Sequence, residues 1–114
     1  MRSAALGTLV AVALLAGAGC ARSPASGFLA AGLAAAQESA WEEAVRQWTL
    51  ALERDPGSAA AHNNLAIAHE RLGEWDEARR EYEQARRLAP DDPTIRANHE
   101  AFKARLERLR GRAG

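Results

Sequence analysis

Residues 41–56 read WEEAVRQWTLALERDP, and residues 73–90 read GEWDEARREYEQARRLAP. A shift of 34 residues lays the first on the second without a gap. It pairs Trp41 with Trp75, Glu43 with Glu77, Ala44 with Ala78, Arg46 with Arg80, Trp48 with Tyr82, Ala51 with Ala85 and Pro56 with Pro90. Self-similarity at such a spacing marks a repeat architecture, in which one supersecondary unit recurs because it cannot bury its apolar face alone. The tryptophans of the first stretch are therefore read as packing residues. A periodic aromatic beside a periodic alanine is what stacking needs, whereas a ligand pocket needs no period.

The same shift continues outward. Upstream it pairs Leu33 with Ile67 and Ala34 with Ala68; downstream it pairs Asn64 with Asn98, Arg71 with Arg105 and Leu72 with Leu106, after which the sequence ends. Two full units and one half result. Within a unit the apolar positions have helical spacing: Trp41, Ala44, Val45, Trp48, Ala51 and Leu52 form one stripe, and Trp75, Ala78, Tyr82, Ala85 and Leu88 form its counterpart. The breaks agree. Asp55-Pro56-Gly57-Ser58 stops one helix and offers Ser58 as the next N-cap, Gly73 separates two helices, and Asp92-Pro93 supplies a cap and a first-turn proline. Helices are predicted over 27–38, 41–54, 59–72, 75–89 and 93–110, giving an all-α, five-helix solenoid.

Small side chains are needed where helix backbones approach, hence Ala44, Ala51, Ala78 and Ala85, and large ones must fill the layers between. Trp41, Trp48, Trp75 and Tyr82 suit that role, since an aromatic buries roughly 150–250 Å². On this reading Trp75→Ala costs about 3–5 kcal/mol.

Composition supports one small helical domain. The chain has 114 residues, with Lys+Arg and Asp+Glu at 15 each, so no basic surplus argues for nucleic acid. Ala, Leu, Glu and Arg, all strong helix formers, dominate. The charge is unevenly placed: four Arg face nine acids from Cys20 to Ala78, and ten basic residues face six acids from Arg79 onward.

Residues 1–20, MRSAALGTLVAVALLAGAGC, place one Arg before an uncharged apolar run that ends in small residues, the order of regions in a secretory signal peptide. An uncleaved anchor is the alternative, the run being slightly short of the ~20 residues that span a bilayer. Cys20 is the only cysteine, so no intramolecular disulfide is possible. LLAGAGC resembles a bacterial lipoprotein signal, with Ala18 and Gly19 before a cysteine that becomes the lipidated N-terminus; Gly17 stands where that family usually has Leu. The resemblance implies lipid attachment at Cys20, and Ala21 after it implies the outer membrane. Cleavage after Ala18 would instead release a soluble periplasmic protein. The organisation expected is a leader over 1–19, a tether over 20–26, a first repeat over 25–56, a second over 59–92 and a closing helix over 93–110.

From Asn64 to Pro90, NLAIAHERLGEWDEARREYEQARRLAP resembles a tetratricopeptide repeat, with Leu65, Gly73, Trp75, Ala78, Tyr82, Ala85 and Pro90 at that family's signature positions. The upstream unit keeps Gly32 and Ala34 but has Ala31 where Leu is preferred and Ser39 in place of the turn glycine. The resemblance implies a concave groove, lined by the first helix of each unit, that binds a peptide or partner segment. Carried over residue by residue, the groove comprises Leu29, Leu33, Asn63, Asn64, Ile67, Glu70, Arg71, Asn98 and Arg105. Asn side chains there can bond an extended backbone, and Leu29 and Leu33 can hold an apolar side chain. Capture of a C-terminal carboxylate is not expected, because Leu29 and Leu33 stand where Lys and Asn would be required.

No catalytic constellation is visible: there are no nucleophile-elbow glycines and no phosphate-cradling loop. His62 and His69 share a predicted helix but lack a zinc-motif spacing, so neither a metal nor a cofactor is expected. Glu42-Glu43 and Asp76-Glu77 recur at helix starts, where acids complement the macrodipole. The closing helix carries Ile95, Phe102, Leu106 and Leu109 on one face, suited to covering the last repeat; its basic residues offer an alternative contact with anionic lipid or an acidic partner. The function expected is non-catalytic: a membrane-tethered scaffold that binds another protein, or a pilotin-like assembly factor for an envelope machine. So short an array is also expected to self-associate or to dock on a larger complex.

Overall fold

The computed structural model describes residues 13–15 and 24–113. Its described helices are α1 (Pro24–Gln37), α2 (Trp41–Arg54), α3 (Ala59–Arg71), α4 (Trp75–Leu88) and α5 (Pro93–Ala113). Each packs chiefly against its neighbour in sequence, which makes the chain an all-α helical solenoid.

Two helices differ from prediction by three residues at one end, the others by one at most. Helix α1 begins at Pro24, inside the stretch expected as tether. A proline at a first helical position sacrifices no hydrogen bond, and Ala25 is already buried, so packing draws the helix start upstream. Helix α5 runs through Gly111 to Ala113.

Local chemistry sets the boundaries. The Ser58 hydroxyl accepts the Ala61 N–H at 3.1 Å, and the Asp92 carboxylate accepts the Ile95 N–H at 3.0 Å, each satisfying a first-turn donor. Gly73 closes α3 with φ +74°, and Ser39, its counterpart one repeat earlier, adopts φ +56°. A side chain in this left-handed region costs roughly 1–2 kcal/mol. Ser39→Gly is therefore expected to raise stability by up to about 1 kcal/mol, read as a higher urea midpoint at unchanged slope.

The core has two clusters, one across α1, α2 and α3 and one across α3, α4 and α5. Ala44, Trp48, Ala51, Ala61 and Leu65 form one cluster with Leu29, Ala36 and Ala68; Ala66, Ile67, Ala78, Tyr82 and Phe102 form the other. Trp48 and Tyr82, one period apart, are the two largest fully buried side chains. Trp41 and Trp75 are only half-buried, packing at the margins of these clusters. The large truncation cost expected at Trp75 therefore belongs to Trp48, because the stabilisation scales with the apolar surface removed from water.

Candidate groove

The residues carried over as a groove do not form one exposed surface. Leu29 is buried in the first core cluster, where its backbone carbonyl accepts the Trp48 indole N–H at 3.2 Å. Leu33 packs, partly buried, on the same cluster, and Ile67 belongs to the second. Apolar residues on these helices serve the core first, which the sequence pattern alone did not distinguish from groove lining.

The charged members are paired within the protein. Arg105 on α5 grips Glu70 on α3 through both carboxylate oxygens, Nε to Oε2 and Nη2 to Oε1, each at 2.7 Å. The Tyr82 hydroxyl donates to Glu70 Oε1 at 2.7 Å. Burial, with the Glu70 charge beside it, pushes the Tyr82 phenol far above its usual pKa, so it remains a donor at any physiological pH. Arg71 lies over the Trp41 ring, 5.4 Å from its centroid.

The amides behave differently. Asn63 and Asn64 are fully buried on α3, and Asn98 on α5 is half-buried beside them. Asn98 Nδ2 donates to Asn63 Oδ1 at 3.1 Å, and Asn63 Nδ2 donates to Asn64 Oδ1 at 3.3 Å. This relay fixes the orientation of each amide. It leaves Asn64 Nδ2 and a second lone pair of its Oδ1 directed at one further backbone unit, the N–H and C=O of a single residue.

Residues 13–15 supply that unit. The Leu15 N–H donates to Asn64 Oδ1 and Asn64 Nδ2 donates to the Leu15 carbonyl, both at 3.0 Å; Asn98 Nδ2 donates to the Ala13 carbonyl at 3.2 Å. The bonded residues alternate, as along a β-strand, where every second residue turns its N–H and C=O to the same side. Between them Leu14 packs, partly buried, against both core clusters. Of the residues expected in the groove, Asn63, Asn64 and Asn98 thus act together on an extended backbone, while Leu29, Leu33, Ile67, Glu70, Arg71 and Arg105 build or brace its walls. Cys20 lies outside the described residues.

The histidines have separate partners. His62 Nδ1 bonds Glu81 at 2.5 Å, and His69 Nδ1 bonds Glu74 at 3.0 Å. His99 stacks on Tyr82 with centroids 5.8 Å apart. The hydrogen bond to Glu81 raises the His62 pKa above its usual value, whereas burial lowers that of His99. The His62–Glu81 contribution to stability is complete below the unfolded histidine pKa of about 6.5 and is lost as pH rises through the higher folded value. An NMR titration of the three rings is expected to place His62 above that reference and His99 below it.

Residues 59–92, which span α3 and α4 with the turn after them, match the tetratricopeptide repeat family. Among curated proteins none matches the chain. Tetratricopeptide repeats are typically non-catalytic modules that bind other proteins, and the match supports a protein-interaction role here.

Proposed function

We propose that this protein is a non-catalytic adaptor, tethered to the periplasmic face of the outer membrane by a lipid on Cys20, that binds an extended segment of a partner protein across α3 and α5. One observation carries the binding mode: Asn64 completes both hydrogen bonds of a single residue's backbone, at 3.0 Å each. A contact of this kind reads main chain rather than side chain, so affinity comes from an extended conformation and selectivity from the apolar seat between the amides. The pairing of Glu70 with Arg105 supports an uncharged ligand, since neither group is free to meet a charge on the partner.

The tether rests on the sequence, on the small-residue box before Cys20. A multiply acylated cysteine holds firmly at a membrane, each buried CH₂ contributing about 0.8 kcal/mol. The helix start at Pro24 leaves three residues between that cysteine and the solenoid, Ala21 to Ser23, which keeps the groove close to the lipid surface.

Mass spectrometry of the mature N-terminus tests the anchor. A diacyl- or triacylcysteine at position 20 is expected, and an unmodified terminus at Gly19 or later overturns it. Co-purification with the anchored chain decides the mode of use. Several substoichiometric partners identify an adaptor, whereas one stoichiometric partner identifies an obligate assembly factor.

A further inference from the structure

We infer that the groove of the unprocessed chain is closed by the chain's own leader: the segment Ala13–Leu15 is an intramolecular ligand that an outside segment must displace. The inference rests on the groove reading above and adds the identity of one occupant, its mode of binding and its consequence for timing.

Three independent contacts define the occupied state. Asn64 holds the N–H and C=O of Leu15, Asn98 holds the C=O of Ala13, and the Leu14 side chain rests on apolar residues of both core clusters. Asn63 and Asn64 are fully buried while the segment is in place. Among the described residues no buried side-chain nitrogen or oxygen lacks a hydrogen-bond partner, and for the outward-facing amide of Asn64 that partner is the leader. A buried amide left without a partner would cost about 1–3 kcal/mol, so the groove favours retaining this segment until a better one arrives.

The chemistry of the segment fits the site. Residues 11–18 read AVALLAGA and carry no charge. Arg105 is already paired with Glu70, so it is not free to attract an acidic rival. Because the segment is covalently attached, its effective concentration reaches the millimolar range typical of short tethers. An intrinsic dissociation constant well below that concentration keeps the groove mostly filled, and an outside ligand sees its apparent affinity reduced by the small fraction that is open. Removal of the leader ahead of Cys20 abolishes this competition. The same event that frees the new terminus for lipid attachment would also open the groove, so that partner binding begins only on a chain already delivered to its membrane.

The test uses the full chain made by cell-free synthesis, in which the leader is not removed, and a fluorescein-labelled peptide of sequence AVALLAGA. Leu14→Asp weakens the internal ligand without touching the helices. This variant is expected to bind the peptide at least about tenfold more tightly than the wild-type chain, the factor by which self-occupation lowers apparent affinity. Adding Asn64→Ala to that variant is expected to abolish binding, with helix content by circular dichroism as the folding control. In the wild-type chain the Leu15 amide is expected to exchange with solvent more slowly than in Leu14→Asp. Equal affinity of the two chains for the peptide overturns self-occupation while leaving the groove intact as a peptide site. Binding by neither chain, or equally fast Leu15 exchange in both, also overturns it. The wider reading of partner binding is judged separately, by adducts formed in cells after the leader has gone.

Discussion

Replacing Trp48 with alanine is expected to lower the unfolding free energy by about 3–5 kcal/mol, the range for truncating a buried aromatic. The indole is wholly buried where α1, α2 and α3 meet, and its N–H donates to the Leu29 carbonyl on α1. Gly32 makes room for it: a Cβ at that position would lie 2.1 Å from the indole nitrogen. Neither backbone can close the gap without losing its other contacts, so the cavity persists and its cost adds to the lost transfer energy. Domains of this size have about 5–15 kcal/mol in all, so the variant should be largely unfolded at temperatures the parent tolerates. Urea denaturation followed by circular dichroism measures the difference. Trp75→Ala, at a half-buried site, is expected to cost roughly half as much. Equal losses at the two positions would contradict this account of the core.

Phe102→Ala is expected to cost a similar amount, about 3–5 kcal/mol, for a different reason. Phe102 is the residue by which α5 closes the second repeat, fully buried with its ring 5.0 Å from that of Tyr82 and 6.4 Å from that of Trp75. Its loss removes the larger of the two buried apolar side chains of α5, leaving Ile95 near the helix start and the polar ties, Arg105 to Glu70 and Asn98 to Asn63. Polar ties hold the rest of the helix poorly, since each exchanges a bond with water for one with protein. Protease cleavage within α5 should therefore accelerate before the rest of the chain becomes sensitive. Uniform sensitisation of all five helices would show instead that the closing helix and the repeats unfold as one unit.

The fold was legible because the repeat ties every helix to a partner 34 residues away. Ala44 with Ala78, Ala51 with Ala85, and Trp48 with Tyr82 are all buried, and the caps at Ser58 and Asp92 form as their positions implied. The division of labour among the inward-facing residues was legible in part. The pattern selects which helix face turns inward, but it does not separate inward residues that pack from those that meet a ligand. Leu29 therefore passed for a pocket wall when its place is beneath Trp48. The pairing of Glu70 with Arg105 spans 35 residues, beyond the local spacings that reveal ion pairs along one helix. The clearest signal of a bound backbone lay in the amides. Asn63 and Asn64 lie in the interior of α3 among buried alanines, Leu65 and Ile67, and buried amides require partners. That requirement pointed to a bound backbone, although nothing in the pattern indicated that residues 13–15 of the same chain would provide it.

On the proposed function, Asn63, Asn64 and Asn98 present a face for an extended, uncharged segment of another protein. Photo-crosslinking in living cells tests this most directly, with a benzophenone amino acid placed at exposed Ala101, one turn after Asn98 on α5, and, as a control, at exposed Arg80 on α4. An adduct is predicted from position 101 and not from position 80, mapping by mass spectrometry to an uncharged stretch of a partner and disappearing when Asn64→Ala is added to a chain that keeps its helix content. Adducts of equal yield from both positions, or an adduct from position 101 that survives Asn64→Ala, would contradict it.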